Sequence, residues 1–316
     1  MQKSHRRLLV IKPSSLGDIV QTLQVVEGAY HVLKRKGIFL EIHWIVRDCF
    51  YDLLALSPIV KRSFIFKRYG GIRAFIQLMR EVRLHDYDYI LDFQGLLRSG
   101  LMTFLAKGAC KIGRTDAREG ASWFYQKRYF PQTKDPHAVE ILKSLFNIFD
   151  IDATPQRPLT FSLTPLPESL QENPYVAIFP SSRVTVKEWP HFLKYARNIL
   201  EQTKVFCVWL DQNESSHAAH FQHDRFIYLA GKTSLRDLPT IIQNAQCVIA
   251  NDSGPLHLAA ALCKPLVGIY GPTDYKRYGP YPIDDPQHGI FQAPPGGLTQ
   301  ITVQSVVKTT LRMLKL

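Results

Sequence analysis

Nothing in the 316 residues approaches the roughly 20 consecutive uncharged apolar positions that cross a bilayer. The opening MQKSHRRLLVIKPSS turns polar before a secretory apolar segment forms, so a cytoplasmic protein is the expectation. Cysteine is sparse as well. Cys49, Cys110, Cys207, Cys247 and Cys263 are odd in number, widely scattered and without a CxxC pair, which argues against a disulfide framework or a zinc site and for reduced, mostly buried thiols. Several catalytic signatures are missing: there is no GxxxxGK[ST] loop, no HExxH, no GxSxG and no GxGxxG. NTPase, zincin, serine-hydrolase and dinucleotide-fingerprint readings therefore lack support. No metal and no cofactor is expected.

Acidic residues are the smaller of the two charged sets. The chain carries 39 Lys+Arg against 27 Asp+Glu, a formal net charge of +12. Residues 1–150 hold 24 and 14 of these and the remainder 15 and 13, so almost all the excess lies in the first half. Such asymmetry suits a surface that meets something anionic, whether nucleic acid, acidic lipid or a phosphorylated glycolipid. A nucleic-acid-binding module is the competing class, yet no recognised aromatic or zinc-finger pattern accompanies the charge, and no nucleic-acid partner is expected.

What is present is a balance of 46% hydrophobic and 21% charged residues, that of a folded chain with a sizeable core. The length predicts two domains of roughly 150 residues each. Residues 8–11 (LLVI) form an apolar run, KPSSLGD punctuates it, and Val20, Leu23, Val26 and Leu33 recur at helical spacing, which reads as strand, turn, helix. IFLEIHWIV (38–46) and YDYILDF (87–93) continue the alternation of β and α units. Between Ile151 and Pro174 five prolines mark an extended connector. The expected organisation is a Rossmann-like N-terminal domain over 1–155, a linker over 156–174 and a Rossmann-like C-terminal domain over 175–316, with the last helix packing back on the N-terminal domain. YVAIF, KVFCVWL, CVIAN and PLVGIYG give the second domain parallel-sheet character. Open parallel sheets bind ligands beyond the carboxyl ends of their strands, which puts the expected site between the domains.

Three segments could carry chemistry. Lys12-Pro13-Ser14-Ser15-Leu16-Gly17-Asp18 stands where a strand ends and a helix begins, where backbone amides and small side chains can approach an anion. The plainer reading is a helix cap by Ser14 or Ser15, about 0.5–2 kcal/mol, with Asp18 complementing the dipole. Asn251-Asp252-Ser253-Gly254-Pro255-Leu256-His257 follows CVIA and precedes a small-residue helix. Gly permits close backbone approach, Pro255 suits the first helical position, and the free amides of such a helix start fit a diphosphate, although an ordinary tight turn uses the same residues. Pro180-Ser181-Ser182-Arg183 with Lys187-Glu188-Trp189-Pro190 is a hydroxyl and cation cluster after a strand. Lys187 could neutralise a leaving diphosphate there; the alternative is a solvated loop with a capping Ser.

Taken together, these segments resemble glycosyltransferase family 9, the ADP-heptose transferases of lipopolysaccharide core assembly. KPSSLGDIVQTL is similar to the family's N-terminal signature, NDSGPLHLAAAL to its donor-phosphate signature, and GIYGPTD (268–274) to the segment that follows. YDYILDFQGLLRSG with RTDAREGASWFYQKRY and HAVE (137–140) resembles the branch that adds the first heptose to Kdo on lipid A. The resemblance implies an α/β GT-B fold, two Rossmann-like domains facing across a cleft. It implies metal-independent, inverting transfer in a single displacement, with ADP-heptose as donor, Kdo-lipid A as acceptor, and peripheral contact with the anionic cytoplasmic face of the inner membrane.

By the same resemblance Asp18 is the general base and Lys187 the second catalytic residue. Ser14, Ser15, Gly17, Ser181, Ser182, Lys187, Glu214, Lys232, Thr233, Asp252, Ser253, Gly254, Pro255, Leu256 and His257 fall on the donor side. Lys67, Arg68 and Arg118 fall on the acceptor side, where an Arg fork matches carboxylate or phosphate. Two departures stand out. SSRVTVKEW is one residue longer than the usual spacing between the hydroxyl pair and the Lys, and Gln21 occupies a position where His is often seen. Another sugar or acceptor within the family, or a nucleotide-sugar sensor without turnover, is the alternative function.

Overall fold

The computed structural model describes residues 4–182, 184–211 and 217–316. Its first six strands are β1 (Ser4–Ile11), β2 (Ile38–Arg47), β3 (Val60–Phe66), β4 (Tyr87–Asp92), β5 (Gly108–Arg114) and β6 (Lys127–Tyr129). The helices among them are α1 (Leu16–Arg35), α2 (Tyr51–Leu54), α3 (Gly71–Val82), α4 (Leu97–Leu105) and α5 (Ala138–Ser144). The strands form one parallel sheet in the order β3-β2-β1-β4-β5-β6. Leu8, Leu9, Val10 and Ile11 of β1 are all fully buried, because a central parallel strand is covered on both faces and so reads as a continuous apolar run.

The second series is β7 (Tyr175–Phe179), β8 (Phe206–Trp209), β9 (Phe226–Tyr228), β10 (Cys247–Asn251), β11 (Leu266–Tyr270) and β12 (His288–Gln292), with α6 (Phe192–Gln202), α7 (Leu238–Asn244), α8 (Gly254–Ala261), α9 (Tyr275–Tyr278) and α10 (Val303–Leu314). These strands form a second parallel sheet, β12-β11-β10-β7-β8-β9. Counted within each sheet, both orders are 3-2-1-4-5-6, the doubly wound Rossmann order. Helix α10 packs on β10, β11 and β12 and against α6, which lies on β8, so the last helix closes the core of its own sheet.

The chain divides into two compact units, Met1–Ser162 and Leu163–Leu316. In the first, Gly28 of α1 is required by the proline-rich segment: a Cβ there would stand 2.0 Å from the Thr154 carbonyl. With only hydrogen at that position the segment lies on the helix, and the Gln156 amide donates to Gln24 O at 2.9 Å.

The cysteines depart from expectation. All five are free, but only Cys207 and Cys247 are buried, while Cys49 is exposed and Cys110 and Cys263 are half-buried. Burial pushes the Cys207 and Cys247 thiols up to about 12, which leaves them unreactive. Among the described residues no helix is long and apolar enough to cross a membrane.

Candidate active site

In a doubly wound sheet the crevice for a ligand opens at the carboxyl ends of the first and fourth strands, where the strand order reverses.

In the first unit the chain leaves β1 through Lys12 and Pro13, and Ser15 caps α1 in an extended conformation. The Ser15 amide and hydroxyl both donate to Asp18 Oδ2, at 2.9 and 2.6 Å. The cap therefore pins the carboxylate in one orientation while 46% of its side chain stays exposed, so capping and chemistry at Asp18 are compatible. Lys12 Nζ, buried, lies 3.5 Å from Asp18 Oδ1 and donates to Phe93 O at 3.4 Å. Burial lowers the Lys12 pKa; Asp18 and Asp92 oppose that fall and Arg114 adds to it.

The β4 side of the crevice is built on Asp92, which is fully buried. Its Oδ1 accepts the Gln94 and Gly95 amides at 2.8 and 3.0 Å, and its Oδ2 accepts the Tyr125 hydroxyl at 2.7 Å. Burial raises the carboxyl pKa and these hydrogen bonds pull it back. Gln94 Oε1 accepts the Ser14 amide at 3.3 Å, which ties the two loops together. Arg114, at the end of β5, forks onto Asp116 at 2.9 and 2.6 Å. Burial opposes its charge, but Asp116, Asp18 and Asp92 outweigh burial and its pKa rises.

The residues assigned to an acceptor sit on the same edge. Lys67 and Arg68 follow β3, two strands to one side of β1, and Arg118 follows β5, two strands to the other. All three are exposed. The Arg118 amide is anchored on Gly95 O at 2.9 Å, beside the Asp92 turn.

In the second unit Ser181 and Ser182 follow β7, and the Ser182 amide donates to Glu188 Oε1 at 2.8 Å. Lys187 ends the 3-10 turn Thr185–Lys187 and donates to Asp252 Oδ2 at 2.6 Å. Asn251, buried at the end of β10, accepts the Trp189 amide at 3.1 Å and donates to Pro180 O. This one side chain braces the Lys187 loop against the fourth strand of the sheet.

Ser253 caps α8, so Gly254 is its first position and Pro255 its second, one later than the sequence predicts. Ser253 Oγ is buried and without a hydrogen-bond partner among the described residues, as is the hydroxyl of Tyr270 at the end of β11. Burial and, less strongly, Asp252 raise the Tyr270 pKa well above its ordinary value. Leu256 and His257 are buried in the same helix. The first turn of α8 and the Lys187–Asp252 pair both stand at the end of β10, and helix starts are places where diphosphates bind.

Lys232 and Thr233 lie after β9, two strands from β7 on the same edge. Glu214 and Arg183 lie outside the described residues. Sequence reading assigned no role to Lys12, Asp92, Arg114, Tyr125, Asn251 or Tyr270, although all six lie in the segments it quoted; for all but Tyr125, a place at or just past a strand's carboxyl end is the further signal.

A family model described as glycosyltransferase family 9 (heptosyltransferase) matches residues 75–293. The chain belongs to glycosyltransferase family 9. This family 9 chain is 28% identical over 324 residues to lipopolysaccharide heptosyltransferase 1 of Escherichia coli (strain K12), covering 96% of the chain and 98% of that protein. It is 28% identical over 309 residues to the Pseudomonas aeruginosa protein of the same name, covering 87% and 81%. Among solved structures, Escherichia coli heptosyltransferase WaaC with ADP superposes with a TM-score of 0.81 at 25% identity, covering 97% of this chain and 99% of that one. A family 9 glycosyl transferase from Veillonella parvula reaches 0.82 at 18% identity, covering 100% and 99%, a likeness of fold alone. The family 9 fold is GT-B, with one Rossmann-like sheet in each unit.

Proposed function

We propose that this chain transfers L-glycero-D-manno-heptose from ADP-heptose to the Kdo of lipopolysaccharide inner core, Kdo-lipid A, at the cytoplasmic face of the inner membrane. The observation that carries the reading is Asp18: a carboxylate at the switch point of the first sheet, held at Oδ2 by two hydrogen bonds from Ser15, with Lys12 Nζ 3.5 Å from Oδ1 and 46% of its side chain exposed.

In the proposed reaction the acceptor hydroxyl oxygen attacks the anomeric carbon of heptose as the bond to the diphosphate oxygen breaks. Asp18 takes the hydroxyl proton, which requires hydrogen-bond reach and an orientation fixed beforehand. ADP departs with added negative charge, so preorganised donors count most on its side. Lys187, the hydroxyls of Ser181, Ser182 and Ser253, and the first amides of α8 supply them, while Leu256 and His257 wall the pocket. Ser14, Ser15 and Gly17 leave room for the donor beside Asp18, and Lys232, Thr233 and Glu214 hold the nucleoside. Lys67, Arg68 and Arg118 meet the carboxylate and phosphates of the acceptor. The relatives named for lipopolysaccharide heptosyltransferase 1 and the WaaC structure with ADP support this donor and this transfer.

The test is acceptor-dependent ADP release from ADP-heptose with Kdo-lipid A, with the glycolipid followed by mass, in the native chain and in Asp18→Ala. One added heptose, lost in the variant, is the expected result. ADP binding with no release on that acceptor would sink the proposed substrate pair.

A further inference from the structure

Helices α3 and α4 cover one face of the first sheet, where Leu78, Met79 and Val82 of α3 and Met102 of α4 share a core with Leu9 and Phe64. The outer surface of α4 is unlike that of an ordinary solvent-facing helix, which is polar on the side away from the core. The exposed residues of α4 are Leu97, Arg98, Leu101 and Phe104 and no others. Leu97, Leu101 and Phe104 stand at i, i+4 and i+7, one continuous stripe. Phe104 is 56% exposed.

The stripe extends onto the 3-10 turn Ala121–Phe124, which is packed tightly on α4. A Cβ on Gly100 would come within 2.7 Å of the Phe124 ring, and the Phe104 and Phe124 rings lie 5.6 Å apart. That turn projects Trp123, 85% exposed. An apolar patch of this extent marks an interaction surface.

Its border is basic. Arg98 lies within the stripe, Lys107 follows α4, and Lys111 donates to Phe104 O at 2.6 Å with its ammonium 5.4 Å from the Phe104 ring. Helices α3 and α4 hold three arginines and a single acid, Glu81. The carboxylate at this border is Glu119, whose Oε2 accepts the Leu97 amide at 3.2 Å, so a second copy of the same face, related by a two-fold axis, would set an excess of cations against each other. A leucine and aromatic stripe bordered by Lys and Arg instead matches the two layers of an anionic bilayer surface, acyl boundary and phosphates.

We infer that this face seats on an anionic bilayer, with Leu97, Leu101, Phe104 and Trp123 at the acyl boundary and Arg98 and Lys107 on lipid phosphates. That the contact delivers a lipid-linked acceptor to Lys67 and Arg118 rests on the transferase reading above; the binding itself does not.

The test is co-sedimentation of the full chain with phosphatidylcholine vesicles, with and without phosphatidylglycerol. The native chain is expected to sediment with the anionic vesicles only, less so at high salt, and Trp123 emission to shift to the blue. Leu101→Ser with Phe104→Ser should weaken binding at least tenfold, Trp123→Ser severalfold, and Arg98→Gln and Lys107→Gln about fivefold each, the factor that ~1 kcal/mol per surface cation gives. Because these side chains lie outside the core of the first sheet, the variants should keep the native circular dichroism and the native rate on a soluble acceptor without acyl chains. Equal binding to neutral vesicles, or unchanged binding in both the apolar and the basic variants, would overturn the inference. So would sedimentation velocity showing a native dimer that the apolar variants split. Should no acceptor turn over while vesicle binding and its loss persist, the bilayer surface stands and the substrate reading falls.

Discussion

Lys187 Nζ stands 2.6 Å from Asp252 Oδ2, with 28% and 10% of the two side chains exposed. The pair joins the loop after β7 to the end of β10, across the switch point of the second sheet. Replacing Lys187 by Met removes a cation where the departing diphosphate would gain charge, and it leaves the Asp252 carboxylate mostly buried without this partner. The expected outcome is a fall in kcat of about 10²–10³-fold, with a stability loss of about 1–3 kcal/mol. Steady-state ADP release and a denaturant melt read the two effects separately. A rate within twofold of native would remove Lys187 from the reaction.

Ser253 offers a cleaner separation of folding from binding. Its hydroxyl is buried and makes no hydrogen bond among the described residues, so Ser253→Ala removes no interaction that the fold uses. Thermal stability should stay within about 0.5 kcal/mol of native. A lost hydrogen bond to a charged diphosphate, about 1.5–3 kcal/mol, should raise the donor KM by about one to two powers of ten. A melting temperature that falls with no change in KM would show the hydroxyl to be structural.

Asp18 both holds the Ser15 cap and is the proposed base, and Asn separates the two roles. Its side-chain oxygen can still accept from Ser15, so Asp18→Asn should fold, with a stability loss of about 1–3 kcal/mol from the charge removed beside buried Lys12, yet lose about 10²–10⁴-fold in kcat. Ser15→Ala should keep the carboxylate but release its orientation, for a smaller loss of roughly tenfold. Equal losses in the two variants, each with a lowered melting temperature, would mean that the cap alone matters.

The parts of the fold that could be read from the sequence are those buried on both faces. The runs in β1, β7, β10 and β11 are apolar without interruption, and their burial is complete or nearly so. By contrast β3 (VKRSFIF) and β5 (GACKIGR) alternate or mix exposed and buried positions with Lys and Arg, as strands near a sheet edge do, and their residues carry no clear strand signal. The site divides along similar lines. Ser15 and Asp18 are three residues apart and announce a helix start, whereas Lys12 meets Phe93 across 81 residues and Asp92 meets Tyr125 across 33. Only the strand order brings those together. The apolar outer stripe of α4 is hidden for another reason: LRSGLMTFL holds enough Leu, Met and Phe for either face to pass for the buried one.

A last prediction concerns His43, which is buried in β2 away from the proposed chemistry. Its Nε2 lies 3.0 Å from Glu41 Oε1 and its Nδ1 3.1 Å from the Tyr87 hydroxyl. A carboxylate can only accept, so the ring donates from Nε2 and accepts from Tyr87 at Nδ1, with no need of a second proton. Burial, with His85 4.8 Å away between ring centroids, lowers the His43 pKa to about 4, and Glu41 only partly opposes this. Between 6.5 and about 4 the unfolded chain therefore binds a proton at His43 that the folded chain does not. Stability from this residue is full above 6.5 and is lost as the pH falls through that window, by an amount on the order of 3 kcal/mol at 1.36 kcal/mol per unit. His43→Gln keeps a donor and an acceptor but cannot titrate. The native chain should melt higher than the variant near neutral pH, and the gap should close as the pH approaches 4; a gap that stays constant across the window would show that His43 takes up its proton in the folded state as readily as in the unfolded one.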